Sequence, residues 1–317
     1  MTPAGKLCAL IRPMLCQPVY PAVQVLVDAI LAIHPNAAAI LFYGSCLRSG
    51  NDRGGIIDLY VLVDGYRETY PSAFWALLNK VLPPNVYYIE APLDERRVRA
   101  KYAILSMQDF QDGTSTKWFH SYIWGRFAQP VALAYSRDAA VVDRIVPALA
   151  QAVQTFVRRA APCTRSPFTA RDLWFKGLSL SYRAELRSER PEKVTALFAS
   201  FPAHYAAITQ AAIQTLPFPI EVRAATSAQQ TYAVSWSMGM RFSARQTWRL
   251  RALLGKLLSV LRLIKGAFTF TGGFDYILWK IERHSGVRVE VPARLKRYPL
   301  LAVGVLVWRI YRQGGFR

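Results

Sequence analysis

The stretch from Leu41 to Asp64, L-F-Y-G-S-C-L-R-S-G-N-D-R-G-G-I-I-D-L-Y-V-L-V-D, limits what this chain can fold into more than any other. An apolar run over 37–43 ends on Gly44-Ser45, and twelve residues separate Ser45 from Asp58, which lies early in a second β-rich run over 56–63. The first strand delivers a tight Gly-Ser turn, whose backbone N–H groups and hydroxyl can hold phosphate oxygens. The second presents a carboxylate on the same edge, where a Mg²⁺ would bridge it to those phosphates. Taken alone, the same short motif also reads as a strand-ending turn followed by a strand-edge acid.

This pairing and spacing resemble the polymerase-β-type nucleotidyltransferase superfamily, whose signature is a hydrophobic residue, G-[GS], then D-hydrophobic-[DE]. The resemblance implies attack on the α-phosphate of a nucleoside triphosphate, with pyrophosphate leaving. The superfamily's second carboxylate position is Tyr60 here. Asp64 shares the strand face, but six residues of strand span roughly 20 Å, too far to share one metal with Asp58.

With 317 residues, 52% of them hydrophobic, the chain can bury a substantial core in two or three domains. No stretch reaches the ~20 apolar residues of a spanning helix. Pro3, Pro13, Pro18 and Pro21 interrupt any signal-like run, so neither a signal peptide nor a spanning helix is expected. Cys8, Cys16, Cys46 and Cys163 lack metal-ligand spacing, which suits a reducing compartment. Charge is unevenly spread. Residues 1–150 hold 14 Lys/Arg and 12 Asp/Glu, whereas 226–317 holds 16 and 3. A nearly neutral head thus precedes a basic tail that calls for a polyanion, either nucleic acid or anionic lipid.

Periodicity places helices over 22–33, 72–81 and 115–127, and strands over 37–43, 56–63, 86–89 and 101–107. That is an α/β (α+β) head with a small mixed sheet, ending near Pro130. Helical patterns over 139–159, 170–187, 191–198 and 203–214 give a helical, winged-helix-like second region. The expected divisions are a nucleotidyltransferase domain over 1–135, a helical domain over 136–225 and a basic membrane-associating region over 226–317. Within the last, Leu250, Leu253, Leu254, Leu257, Leu258, Leu261 and Ile264 share one face of an amphipathic helix over 247–266, with Arg245, Arg249, Lys256 and Arg262 on much of the rest. The apolar run 298–308, with basic and aromatic flanks, is too short to span and suits a membrane interface. Both helices also read as core helices with a solvated basic face.

Further motifs narrow the family. V-Y-Y-I-E-A-P (86–92), K-Y-A-I-L-S (101–106), S-Y-I-W-G-R-F-A-Q-P-V (121–131), L-S-L-S-Y-R-A-E-L-R-S-E-R-P-E-K-V (178–194) and I-K-G-A-F-T-F-T-G-G (264–273) occur in that order. Together they resemble mitochondrial-type phosphatidate cytidylyltransferases, the translocator assembly and maintenance proteins that make CDP-diacylglycerol. Cys46 stands where the family continues its Gly-Ser with glycine, and Ala184-Glu185 replaces its usual Gly-Asp.

The resemblance implies Mg²⁺-dependent transfer of CMP from CTP to phosphatidic acid at an anionic membrane surface. Gly44 and Ser45 would hold the triphosphate, Asp58 the Mg²⁺, and Lys101 a phosphate as a mobile point charge. Arg126 would contact a phosphate or the lipid headgroup, and Arg183 and Arg187 the lipid phosphate. Tyr60 would hydrogen-bond a phosphate, stack on cytosine, or simply pack. Glu90 and Asp94 are candidate replacements for the missing carboxylate, and His120, without a ligand partner at metal spacing, reads as structural. The implied location is a peripheral one, on the cytoplasmic or mitochondrial-matrix face of the inner membrane. Two alternatives stand beside this: an RNA or small-molecule nucleotidyltransferase with a nucleic-acid-binding tail, and an inactive nucleotidyltransferase-like membrane scaffold. Aromatics clustered at the apolar terminus, rather than interleaved with Arg/Lys, argue against nucleic acid.

Overall fold

Two long apolar strands and the helices that cover both of their faces organise the molecule. The computed structural model describes residues 2–51, 55–186, 191–223 and 230–269; Arg187 and the run at 298–308 lie outside them. Helices α1 (Pro3–Leu15) and α2 (Pro21–Ile33) each begin on a proline, which has no N–H to leave unsatisfied. Strand β1 (Ala37–Tyr43), the short helix α3 (Ser45–Ser49) and strand β2 (Ile57–Val63) follow. Next come α4 (Tyr66–Thr69), α5 (Ala73–Val81), and a hairpin of β3 (Asn85–Leu93) and β4 (Arg96–Ser106). Then come α6 (Met107–Thr114), α7 (Trp124–Phe127) and β5 (Ala132–Ser136).

The five strands form one sheet in the order β3-β4-β2-β1-β5, with β2 and β4 parallel and the other pairs antiparallel. All of β1 is buried, and Asp58 is the only β2 residue that is not. Burial on both faces is why these strands read as unbroken apolar runs rather than alternating ones. One face, with Leu41, Tyr60, Leu62 and Leu105, packs on α1 and α6 and on a second helical layer. The other, with Ile40, Phe42, Leu59 and Val61, packs on Val23, Leu26 and Ile30 of α2.

The second layer is α8 (Ala139–Ala160), α9 (Ala170–Arg183), α10 (Pro191–Ser200) and α11 (Pro202–Ile213). Asp138 caps α8, and Thr169 and Asp172 form a reciprocal capping box on α9. Of the described helices only α8 with its continuation, Ala139–Cys163, is long and apolar enough to cross a membrane, and most of it is buried in this core. A small antiparallel sheet joins β6 (Phe168–Thr169), β8 (Thr231–Ala233) and β7 (Glu221–Arg223). Strands this short leave no period-2 signal, so the helical reading of this region lacked them.

The long last helix, α12 (Met238–Thr269), returns to the head. It crosses the end of α9 at Gly255, where a Cβ would collide with the carbonyl of Ala184. Arg251 lies between the rings of Phe119 and Trp248 and donates through Nε to the Phe119 carbonyl at 2.6 Å. Arg262 donates to the Pro83 carbonyl at 2.8 Å, and the Lys265 amine to that of Leu82. Burial lowers Lys265 to about 7, an effect that neighbouring Arg262 reinforces.

Two expectations are corrected. The span 115–127, expected to be helical, is a loop that ends in the single turn α7; the helix of this region, α6, lies earlier, because Ser106 caps a helix that starts directly after β4 and stops at Thr114. Arg159 then holds the loop open through the carbonyls of Thr116 and Trp118. The short strand β5 was not expected, since A-L-A-Y-S is only five residues long, follows Pro130 closely and shows no apolar–polar alternation.

His120 lies in that loop, largely buried. Desolvation, aided by Arg262, Arg159 and Arg251, lowers it from 6.5 to about 3. The unfolded chain therefore binds this proton first, and the stability that neutral His120 confers above pH 6.5 is lost as pH falls towards 3. His120→Phe should flatten the acid limb of stability against pH between those values, as followed by urea unfolding; an unchanged acid limb would show that His120 does not titrate on unfolding.

Candidate active site

The candidate side chains converge where β1 ends. Tyr43 pairs with Asp58 across β1 and β2, Asp58 with Lys101 across β2 and β4, and Lys101 with Tyr88 across β4 and β3. Directly paired residues share a face, so these four form one row across the sheet. Lys101 Nζ stands 2.8 Å from Asp58 Oδ1, with each side chain about one-fifth exposed. Gly44 follows Tyr43 with φ of +94° and ψ of −159°, a conformation essentially confined to glycine. A Cβ there would lie 2.7 Å from Asp58 Oδ2, so the carboxylate sits directly over the turn that starts Ser45 and α3. The structure thus brings Gly44, Ser45, Asp58 and Lys101 to one place.

Beneath this row lies a buried polar network. Tyr60 is fully buried, and its hydroxyl accepts from Arg126 Nη1 at 2.8 Å. Arg126, 7% exposed, reaches Glu185 through Nη2 at 3.4 Å and stacks over Tyr122 at 4.3 Å. Arg262 of α12 covers the Tyr122 ring at 4.1 Å. Burial raises a phenol, but Arg126 and Arg262 outweigh it and pull Tyr122 down to about 8. Tyr43, packed on Tyr60 at 5.3 Å, is pushed up to about 12 by burial and by Asp58. Tyr60 and Arg126 are therefore bonded to each other, one row inward from Asp58.

The other candidates lie elsewhere. Glu90 accepts from Tyr88 and pairs with Arg97 at 3.1 Å and Arg99 at 3.2 Å, one row outward. Asp94 forms the exposed tip of the β3–β4 hairpin at φ of +51°. Asp64, at the far end of β2, pairs with Arg137 at 2.6 Å. Arg183 is exposed at the end of α9. Sequence reasoning did not single out Tyr122, and it read Arg262 as part of a polar helix face; no local pattern marks contacts that bridge distant segments.

A family model described as mitochondrial phosphatidate cytidylyltransferase matches residues 66–257, more than half of the chain. The chain belongs to this family. A search of curated proteins finds no match. The cytidylyltransferase match covers Lys101, Tyr122, Arg126 and Glu185, together with α12 as far as Leu257, and begins after Gly44 and Asp58. Membership makes the chain an enzyme of the nucleotidyltransferase type, with CTP and phosphatidate as the implied substrate pair and CDP-diacylglycerol formation as the general reaction.

Gly44→Ala tests the turn of this cytidylyltransferase. A side chain at that φ costs on the order of 1–3 kcal/mol and displaces the Asp58 carboxylate. We expect a lower melting temperature and an activity loss well beyond about tenfold, or ~1.4 kcal/mol of barrier. Wild-type activity in a stable variant would show that the Gly44–Asp58 contact is not part of the site.

Proposed function

We propose that this enzyme transfers CMP from CTP to phosphatidic acid at a membrane surface with Mg²⁺, and that the row Gly44, Ser45, Asp58 and Lys101 is where the transfer occurs. The observation that carries this is the Asp58–Lys101 pair poised over the Gly44 turn, an anion and a cation held together across two inner strands of the sheet. In the reaction, a phosphate oxygen of the lipid bonds to the α-phosphorus of CTP, the bond from that phosphorus to the bridging oxygen of the β-phosphate breaks, and pyrophosphate leaves. The lipid phosphate is already an anion, so positioning and charge matter more than a strong base.

The donors present suit Mg²⁺ in its usual mode, one or two carboxylates completed by substrate phosphates and water. Asp58 would hold it, beside the Ser45 hydroxyl. Among the described residues no group of three His, Cys, Asp or Glu gathers around a single point. When bound, Mg²⁺ would neutralise charge on the triphosphate. Lys101, freed from Asp58, then serves the phosphates as a movable cation. Arg126 is the proposed support of the headgroup side, acting from its network with Tyr60 and Glu185. The expected domain division, 1–135, 136–225 and 226–317, belongs to the same reading; the large sheet ends at Ser136 and α12 starts at Met238.

Membrane attachment is supported by an inversion in α12. Its leucines face outward, with Leu250, Leu253 and Leu257 all more than half exposed, while Trp248, Arg251 and Lys265 are buried. Arg245, Arg249 and Lys256 are exposed beside them. An apolar stripe flanked by cations is the pattern of a helix lying in an anionic interface. The proposed location is accordingly peripheral, on the cytoplasmic or mitochondrial-matrix face of the inner membrane, the latter in keeping with a family described as mitochondrial.

Purified protein given CTP, Mg²⁺ and phosphatidate vesicles should yield CDP-diacylglycerol and pyrophosphate in equal amounts. Asp58→Asn, nearly isosteric, should fold and lose far more than about tenfold of turnover, more than ~1.4 kcal/mol of barrier. No product from wild type would overturn the proposal, and a smaller loss would remove Asp58 from the metal site. Separately, Leu253→Ser with Leu257→Ser should weaken flotation with anionic vesicles by about tenfold or more while sparing CTP binding. Unchanged flotation would remove α12 from the membrane contact.

A further inference from the structure

Helix α5 has an apolar stripe turned to solvent. Phe74, Leu77 and Val81 are 63%, 60% and 72% exposed, and their spacing places them within one narrow sector of the helix. The opposite side is already satisfied: Ala76 is buried, and Asn79 donates from Nδ2 to the Tyr70 hydroxyl and the Ile104 carbonyl, both at 3.0 Å. Single exposed apolar side chains are ordinary, but three large ones aligned on a two-turn helix form a contact surface.

Two observations indicate what covers it. The first is charge. Lys80 is the only charged residue of α5, it is exposed, and no acidic residue occurs between Glu68 and Glu90. A phenylalanine and two aliphatic residues beside a lysine suit the interface of an anionic bilayer. The second is continuity with α12. Arg262 and Lys265 donate to the carbonyls of Pro83 and Leu82, the residues that directly follow α5. The exposed leucine stripe of α12 includes Leu257 and Leu261, within two turns of this clamp. The two helices are thereby tied to each other by part-buried hydrogen bonds.

We infer that α5 is a second membrane-contacting element, which seats the head itself on an anionic phospholipid leaflet beside α12. This rests on the proposed lipid-surface reaction and deepens it. With α12 locked onto the head, attachment through that one helix still lets the protein roll about the helix axis, whereas a second contact on the catalytic head removes that freedom and fixes how the head meets the bilayer. Since α5 leads through Leu82 and Pro83 into β3, which pairs with the Lys101 strand, the leaflet contact is joined by rigid structure to the row that would receive the headgroup.

The test uses the full chain carrying Leu77→Cys in a Cys16→Ser background, with a polarity-sensitive dye at position 77. Vesicles of phosphatidylcholine containing phosphatidylglycerol should shift the emission to the blue and allow quenching by a lipid-borne quencher; phosphatidylcholine alone should do so weakly. Phe74→Ser with Leu77→Ser should lower partition onto the anionic vesicles by about tenfold and turnover of vesicular phosphatidate in parallel, while turnover of monomeric short-chain phosphatidate stays within about twofold. Dye emission unmoved by vesicles, or already blue without them, would overturn the inference, the latter by showing the face covered by protein. A dimer seen in sedimentation and abolished by the double substitution would assign the face to a second copy instead. If wild type makes no CDP-diacylglycerol from either substrate, the reaction assignment fails while the dye and partition measurements still decide the contact.

Discussion

The parallel pairing of β2 with β4 is the constraint on which the candidate site depends. It sets Lys101 directly beside Asp58, while the antiparallel pairing of β1 with β2 brings the Gly44 turn beneath the same carboxylate. A slip of one residue in either pairing would send one partner to the opposite face and bury a charge in an apolar layer. The register is held by the burial of β1 and β2 on both faces, so the hydrophobic core and the geometry of the site are fixed together.

Charge in this protein does two kinds of work. On the surface, the cations Arg245, Arg249 and Lys256 of α12 flank exposed leucines and leave that face strongly basic. Further in, Arg251, Arg262 and Lys265 donate to backbone carbonyl oxygens, and the two arginines also stack on aromatic rings. Burying a cation in this way is costly unless its donors are used, and here the backbone of 82–83 and 119 uses them. The excess of basic residues thus helps to lock α12 onto the head as well as raising net charge.

How far the sequence revealed this depends on range. The strand at 37–43 was legible to the residue, because an apolar run closed by Gly-Ser has one economical reading, and Asp58 followed from its place in the next run. The Arg126–Tyr60 bond and the Arg126–Glu185 pair were not, since they join segments 66 and 59 residues apart and nothing local marks one as the other's partner. Helical spacing in α12 was also plain, yet periodicity says which residues share a face and nothing about which face meets the protein. Here Gly255 and Arg251 turn inward and the leucines outward, against the usual rule for an amphipathic helix on a soluble core. The loop at 115–123 was misread as helix because its aromatic residues gave an apolar pattern with no visible break.

The most direct measurement is a structure of the protein bound to Mg²⁺ and a CTP analogue that resists cleavage between the α- and β-phosphates. The account predicts phosphate oxygens at Gly44 and Ser45, the metal on Asp58, and Lys101 moved from its 2.8 Å pairing with Asp58 to a phosphate oxygen. A nucleotide bound away from this row, with the Asp58–Lys101 pair intact, would contradict it.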